Sequence, residues 1–123
     1  MTAEELHERA AAIAARAYAP YSEYLVGEAV LARDGRVFDG VNVENGAYPL
    51  GICAERAAIA AAVAAGCRPG DLAAVAITAS PCGGCRQWLA EFRLDRVSFP
   101  NARGELVTYA PAELLPETWE LPR

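Results

Sequence analysis

Lysine is missing from this chain of 123 residues, whose eleven basic side chains are all arginine. That absence closes off Schiff-base and lysine-nucleophile chemistry. Histidine is nearly missing too. His7 is the single one, and the helical spacing around it puts it on a surface face, which excludes a Ser-His-Asp triad and a histidine-rich metal site. No apolar run approaches the length that crosses a bilayer, residues 72–77 being among the longest. The opening Thr2-Ala3-Glu4-Glu5 is acidic and lacks the apolar stretch of a secretory leader, so a cytoplasmic protein with reduced thiols is expected. Positive charge is scarce as well. A net charge of −5 argues against a nucleic-acid-binding face.

What is present is a hydrophobic majority of 54%, enough for residues 1–123 to fold as one domain without disulfide support. Thr2 and Glu5 form a capping-box pattern, and Leu6, Ala10, Ile13 and Ala17 recur at helical spacing. This predicts a helix over 3–18, ended by Ala19-Pro20. Residues 26–33 and 36–43 flank Asp34-Gly35, a hairpin signal. Residues 53–65 are alanine-rich and helical, closed by Gly66, and 72–78 read as a buried strand. Ser80 as N-cap and Pro81 in the first turn open a helix from 82 to about 92. Residues 97–99 and 105–109 predict paired short strands, and 111–115 a last helical turn. The order α-β-β-α-β-α-β-β-α predicts an α/β domain, a mixed five-stranded sheet with helices on its faces.

Two segments carry chemistry. Cys53-Ala54-Glu55-Arg56 sets a thiol two residues ahead of a carboxylate, and Ser80-Pro81-Cys82-Gly83-Gly84-Cys85-Arg86 adds a Pro-Cys-x-x-Cys. Three thiolates hold Zn²⁺ and leave its fourth tetrahedral position open to water, the layout of a catalytic rather than a structural site. Each thiol pair or single thiol opens a helix, whose positive end favours thiolate over thiol. Cys82 and Cys85 share one helix face, while Cys53 arrives from another helix. Three thiolates leave the ion with net negative charge, and Arg56 or Arg86, each next to a ligand, is placed to offset it. Glu55 lies off the face of Cys53 and reaches past the metal, a general acid-base for water and substrate. Cys67 closes the far end of the helix that Cys53 opens, about 20 Å away by helix rise, and reads as a structural thiol. A redox pair is disfavoured by the third thiol and by the lack of aromatic-Cys-Gly-Pro-Cys surroundings. Asn42 and Glu44, two apart on an extended stretch, point one way and suit either a solvated loop or a grip on a polyol.

Ala19-Pro20-Tyr21-Ser22, Val26-Gly27, Asn42-Val43-Glu44-Asn45, Ala47-Tyr48-Pro49, Cys53-Ala54-Glu55-Arg56, Ser80-Pro81-Cys82-Gly83 with Cys85-Arg86-Gln87, and Glu113-Leu114-Leu115-Pro116 together resemble the small, homotetrameric cytidine deaminases over nearly the whole chain. The zinc motif alone marks a wider group of base deaminases. Asn-x-Glu-Asn is the part specific to nucleoside enzymes. The resemblance implies a three-layer α/β/α fold, one Zn²⁺ per subunit on Cys53, Cys82 and Cys85, and hydrolysis of cytidine and deoxycytidine to uridine and deoxyuridine plus ammonia, a pyrimidine-salvage reaction. It implies that Glu55 carries protons to ring N3 and to the departing amine, and that Asn42 and Glu44 bind the ribose. The Ala54 N–H and the Ser80 carbonyl would meet the base edge, and Arg56 would temper the thiolate charge. Tyr48 and other aromatics, some from neighbouring subunits, would wall the pocket.

Four residues depart from the usual pattern of that family. Tyr24 stands where a Phe that stacks on the pyrimidine is usual, Leu25 where Pro is, Trp119 at the substrate-binding pocket wall where Phe follows Leu-Leu-Pro, and Glu28 where a small strand residue is common. They bear on substrate preference rather than on the reaction. Among enzymes the alternative is a blasticidin-type deaminase, disfavoured by Asn42-Val43-Glu44-Asn45. Outside enzymes it is a zinc-stabilised binding module, which would be indifferent to Glu55→Gln.

Overall fold

A computed structural model describes residues 1–122 of the chain. Thr2 caps the first helix, α1 (Ala3–Ala14): its hydroxyl accepts from the Glu5 N–H at 3.1 Å, and the Glu5 carboxylate accepts from the Thr2 N–H at 2.9 Å. These are the reciprocal bonds of a capping box. The helix stops earlier than its periodicity predicts, and the reason is tertiary. The Tyr18 N–H donates to the Asn42 carbonyl at 3.1 Å and the Glu44 N–H to the Tyr18 carbonyl at 2.8 Å, so the chain is drawn into a bridge with the segment around Val43.

β1 (Gly27–Ala32) and β2 (Val37–Val41) form the hairpin expected of Asp34-Gly35, with Gly35 in the left-handed region at φ 96°. A 3₁₀ turn at Tyr48–Leu50, which no signal in the sequence announces, leads to α2 (Ala54–Ala64). That helix ends in a Schellman arrangement, the Cys67 N–H on the Ala62 carbonyl and the Gly66 N–H on that of Val63, both at 3.0 Å. β3 (Leu72–Ile77), α3 (Gly83–Glu91), β4 (Arg96–Pro100), β5 (Leu106–Tyr109) and α4 (Pro111–Leu114) follow in the predicted order.

The strands make one sheet, β2-β1-β3-β4-β5, in which β3 and β4 are parallel and the other neighbours antiparallel. Alternation along the strands sorts the side chains to two faces. Val30, Val75, Ile77 and Val97 pack with Ala58, Ile59 and Ala62 of α2 and Leu89 of α3. The other face is lined by Ala29, Ala74 and Ala76, small enough for Leu6 and Ala10 of α1 to lie close. Two glycines mark the tightest approaches. A Cβ on Gly27 would collide with the Ala10 carbonyl of α1, and one on Gly40 with the Ala54 carbonyl of α2. Helices on both faces of a mixed five-stranded sheet give the three-layer α/β/α architecture.

Candidate metal centre and catalytic cavity

Cys53 and Cys82 are the N-caps of α2 and α3, both in extended backbone, and the helices lie on the same face of the sheet. Ser80 and Pro81, expected to cap and begin α3, precede it instead. The cap is Cys82, whose sulfur reaches the open N–H of Cys85 at 3.4 Å, while the Ser80 hydroxyl is occupied by Arg86 at 3.3 Å. Two helix starts thus converge on one point. The sulfurs of Cys53, Cys82 and Cys85 all lie within 4.8 Å of one another.

Two of these thiols, Cys53 and Cys85, resist ionisation on their own. Burial first, and then the Glu55 carboxylate, hold the Cys85 thiol well above its ordinary range. Burial does the same to Cys53. At Cys82 burial also pushes upward, but hydrogen bonds from the Cys85 backbone and the neighbouring thiols outweigh it and leave this thiol lowered. Three sulfurs so close beside a carboxylate become three thiolates only with a cation among them. Zn²⁺, bonded at about 2.3 Å and tetrahedral, sets its sulfurs about 3.8 Å apart. The donor set fits that ion.

Arg56 faces the cluster, where Cys85 first and then the other thiols push its guanidinium further up. Gly84 makes room for it, since a Cβ there would collide with the Arg56 Nη2. Arg86, the other candidate for offsetting charge, turns away from the sulfurs. It donates to the Pro81 carbonyl at 2.9 Å and the Leu114 carbonyl at 3.0 Å, because its side of α3 faces the open carbonyls of the preceding loop and of α4.

A cavity of about 360 Å³ opens beside Cys53 and Cys82. Glu55, only 4% exposed, is in its wall, as are Ala54, Ser80, Asn42, Glu44, Tyr24 and Tyr48. Asn42 Oδ1 accepts from the Val26 N–H and its Nδ2 donates to the Tyr24 carbonyl, each at 2.8 Å. Glu44 accepts from the N–H groups of Tyr21 and Ser22 at 3.0 and 3.1 Å and from the Ser22 hydroxyl. The pair therefore braces residues 21–26 over the cavity and does not lie as a free solvated loop. Trp119 is elsewhere. It lines a separate groove with Gln87, Arg93 and Pro111, its carbonyl held by Gln87 at 3.3 Å, because the tail after α4 runs along α3 away from the thiols. Sequence reasoning missed Ser22, Val26, Ile52, Ile77 and Ala79, which also line the cavity. Most of these are apolar and read as core, and the bridge of Ile52 to Val43 joins two loops with no local signal.

Known proteins share both the sequence and the shape. The family profile described as the cytidine and deoxycytidylate deaminase zinc-binding region matches residues 1–100. A cytidine deaminase of Sporosarcina psychrophila is 46% identical over 107 residues, 82% of this chain and 79% of that one. One from Mycobacterium tuberculosis H37Rv is 41% identical over 113 residues, 83% of this chain and 84% of that one. The crystal structure of cytidine deaminase from Burkholderia pseudomallei matches with a TM-score of 0.90 at 42% identity, covering 97% of this chain and 100% of that chain.

Proposed function

The chain belongs to the cytidine and deoxycytidylate deaminase family, and on that premise we propose which of its residues perform the reaction. The protein is a zinc-dependent enzyme that hydrolyses cytidine to uridine and ammonia. We extend the substrate to deoxycytidine, which differs only in lacking the 2′-hydroxyl. The observation that carries the residue assignment is the convergence of three thiols within 4.8 Å on a cavity whose wall holds the buried carboxylate of Glu55.

Cys53, Cys82 and Cys85 hold Zn²⁺. Bound there, the ion supplies the Lewis acidity that makes a water nucleophilic near neutral pH. Glu55 would carry both protons of the attacking water, one to ring N3 and the other from the hydroxyl then on C4 to the amine that leaves C4. Its backbone sits in the first turn of α2. The Ala54 N–H, one of the open donors of that turn, and the Ser80 carbonyl meet the base edge. Asn42 and Glu44 take the sugar hydroxyls with the hydrogen-bonding capacity their bracing bonds leave over. Tyr24, on the braced segment, stacks on the pyrimidine, and Tyr48 closes the wall. Arg56 sets positive charge against the sulfurs and so preserves the acidity of the centre.

The exposed side chains of Tyr18, Tyr21, Leu25, Tyr48, Leu50 and Ile52 support a homotetramer whose subunits wall one another's cavities. In that assembly Trp119 reaches a cavity of a second copy, not its own. Net charge −5 and a nucleoside-sized cavity support a small-molecule substrate over a nucleic acid. Four free thiols support a reducing, cytoplasmic setting for one domain spanning residues 1–123. Among the described residues no helix is long and apolar enough to cross a membrane.

The test follows the ultraviolet spectrum of cytidine with wild type and with Glu55→Gln, after a zinc assay on both. Wild type is expected to convert cytidine, and the variant to keep zinc and fold while losing about 10²–10⁴-fold in kcat. Zinc-loaded wild type that leaves both nucleosides untouched removes the substrate, and an active Glu55→Gln removes the shuttle.

A further inference from the structure

One acid in the core is not among the residues assigned above. Glu28, in β1, is 0% exposed, and among the described residues neither of its carboxyl oxygens has a hydrogen-bond partner. In register it stands between Gly40 of β2 and Ile77 of β3, on the face that α2 covers. Gly40 lies against the first turn of α2, and Ile77 is in the cavity wall. Glu28 is therefore one layer beneath the cavity, under the turn that carries Glu55. Burial first, and then the charge of Glu55, hold its carboxyl well above the usual carboxylate range. An acid so placed keeps its proton and has an O–H to give. An apolar side chain of the same size would fill the position at lower cost, so an unpartnered acid here calls for a role beyond packing.

We propose that Glu28 is a positioning residue for Glu55: from beneath the first turn of α2 it supplies an O–H donor to the inner side of the Glu55 carboxylate, after a side-chain rotation or through one buried water, and so fixes the pose from which Glu55 serves the substrate. The inference rests on the shuttle role given to Glu55 above.

The test compares kcat, KM, zinc content and thermal unfolding of Glu28→Gln, Glu28→Leu and Glu28→Met, with Glu55→Gln alongside. Gln keeps a donor, whereas Leu and Met fill the space without one, and Met serves if Leu fails to fold. Leu and Met are expected to lower kcat about tenfold or more, with KM and zinc content unchanged and Tm at or above that of wild type. Gln is expected to stay near the wild-type rate. Wild-type kcat in all three variants overturns the proposal. So does a Gln variant as slow as Leu, and so does a loss in Leu and Met that comes with lost zinc or a lower Tm, since Glu28 would then be a packing residue. An active Glu55→Gln removes the shuttle itself. A normal Glu28→Leu beside an inactive Glu55→Gln leaves the shuttle standing and sinks only the role of Glu28.

Discussion

Two glutamates near the cavity respond to pH in opposite senses, and the cause is what surrounds each carboxyl. Glu44 is held below its ordinary 4.5 by the Ser22 hydroxyl and by the N–H groups of Ser22 and Tyr21, against a smaller opposing effect of burial. Its folded value is the lower one, so its contribution to stability is present above 4.5 and lost as pH falls through the folded value. Glu28 is raised above 4.5 by burial and by Glu55. Its contribution is fully present below 4.5 and lost as pH climbs through the folded value, because the unfolded chain then releases a proton that the folded one keeps. Urea unfolding of Glu44→Gln and Glu28→Gln across pH should therefore diverge. The stability gap between wild type and Glu44→Gln shrinks towards acid, and Glu28→Gln gains on wild type towards alkaline pH. Parallel curves for wild type and Glu28→Gln would mean that the buried acid keeps an ordinary affinity for its proton.

At the scale of elements, the site is a meeting of helix starts. Cys53 and Cys82 cap α2 and α3, and Ala54 and Glu55 are the first two residues of α2. Whatever seats α2 on the sheet therefore seats the proposed zinc ligand Cys53, the proposed backbone donor Ala54 and the proposed proton carrier Glu55 together. That seat is Gly40, where a Cβ would meet the Ala54 carbonyl, a backbone atom with little freedom to give way. Gly40→Ala is expected to cost about 1–3 kcal/mol by overpacking and to weaken zinc binding and kcat in the same variant. Gly66, at φ 103° with no atom near its would-be Cβ, ends the same helix at the far side. Gly66→Ala should cost about 1 kcal/mol and leave the kinetics alone. Zinc titration and urea unfolding of both variants separate the two cases, and wild-type zinc affinity in Gly40→Ala would count against this account of the seat.

For the whole molecule, the mouth of the cavity is the informative region. Tyr24 and Tyr48 stand at 61% and 77% exposure beside it, a large aromatic surface for water to cover. Trp119, also exposed, sits on a different groove of the same chain. Both are accounted for if copies pack cavity mouth against neighbour. Light scattering is then expected to give a mass about four times the 13.0 kDa of the chain, and Trp119→Ala to raise KM several-fold without losing zinc. A fully active monomer would end that account.

The residues by themselves determined most of what acts over a few positions, the 3₁₀ turn at Tyr48–Leu50 and the shift of the α3 cap from Ser80 to Cys82 being the exceptions. The Thr2–Glu5 capping box, the Asp34-Gly35 turn, the Gly66 cap and the alternation that sorts Val75 from Ala74 each arise from neighbours within one turn or one pleat. The metal set was legible for a related reason: thiols at Cys82 and Cys85 share a face by spacing, and a third thiol two residues before a carboxylate has few other uses. Only the tertiary structure decided where α1 stops, because Tyr18 trades its helical bonds for Asn42 and Glu44. It also decided that Arg86 serves the Leu114 carbonyl while Arg56 serves the sulfurs, and that Trp119 leaves the cavity. It alone put an unpartnered acid at Glu28 beneath the helix that carries Glu55. Each of those outcomes is set by segments far apart in the chain, whose contacts outweigh local propensities of less than about 1 kcal/mol per residue.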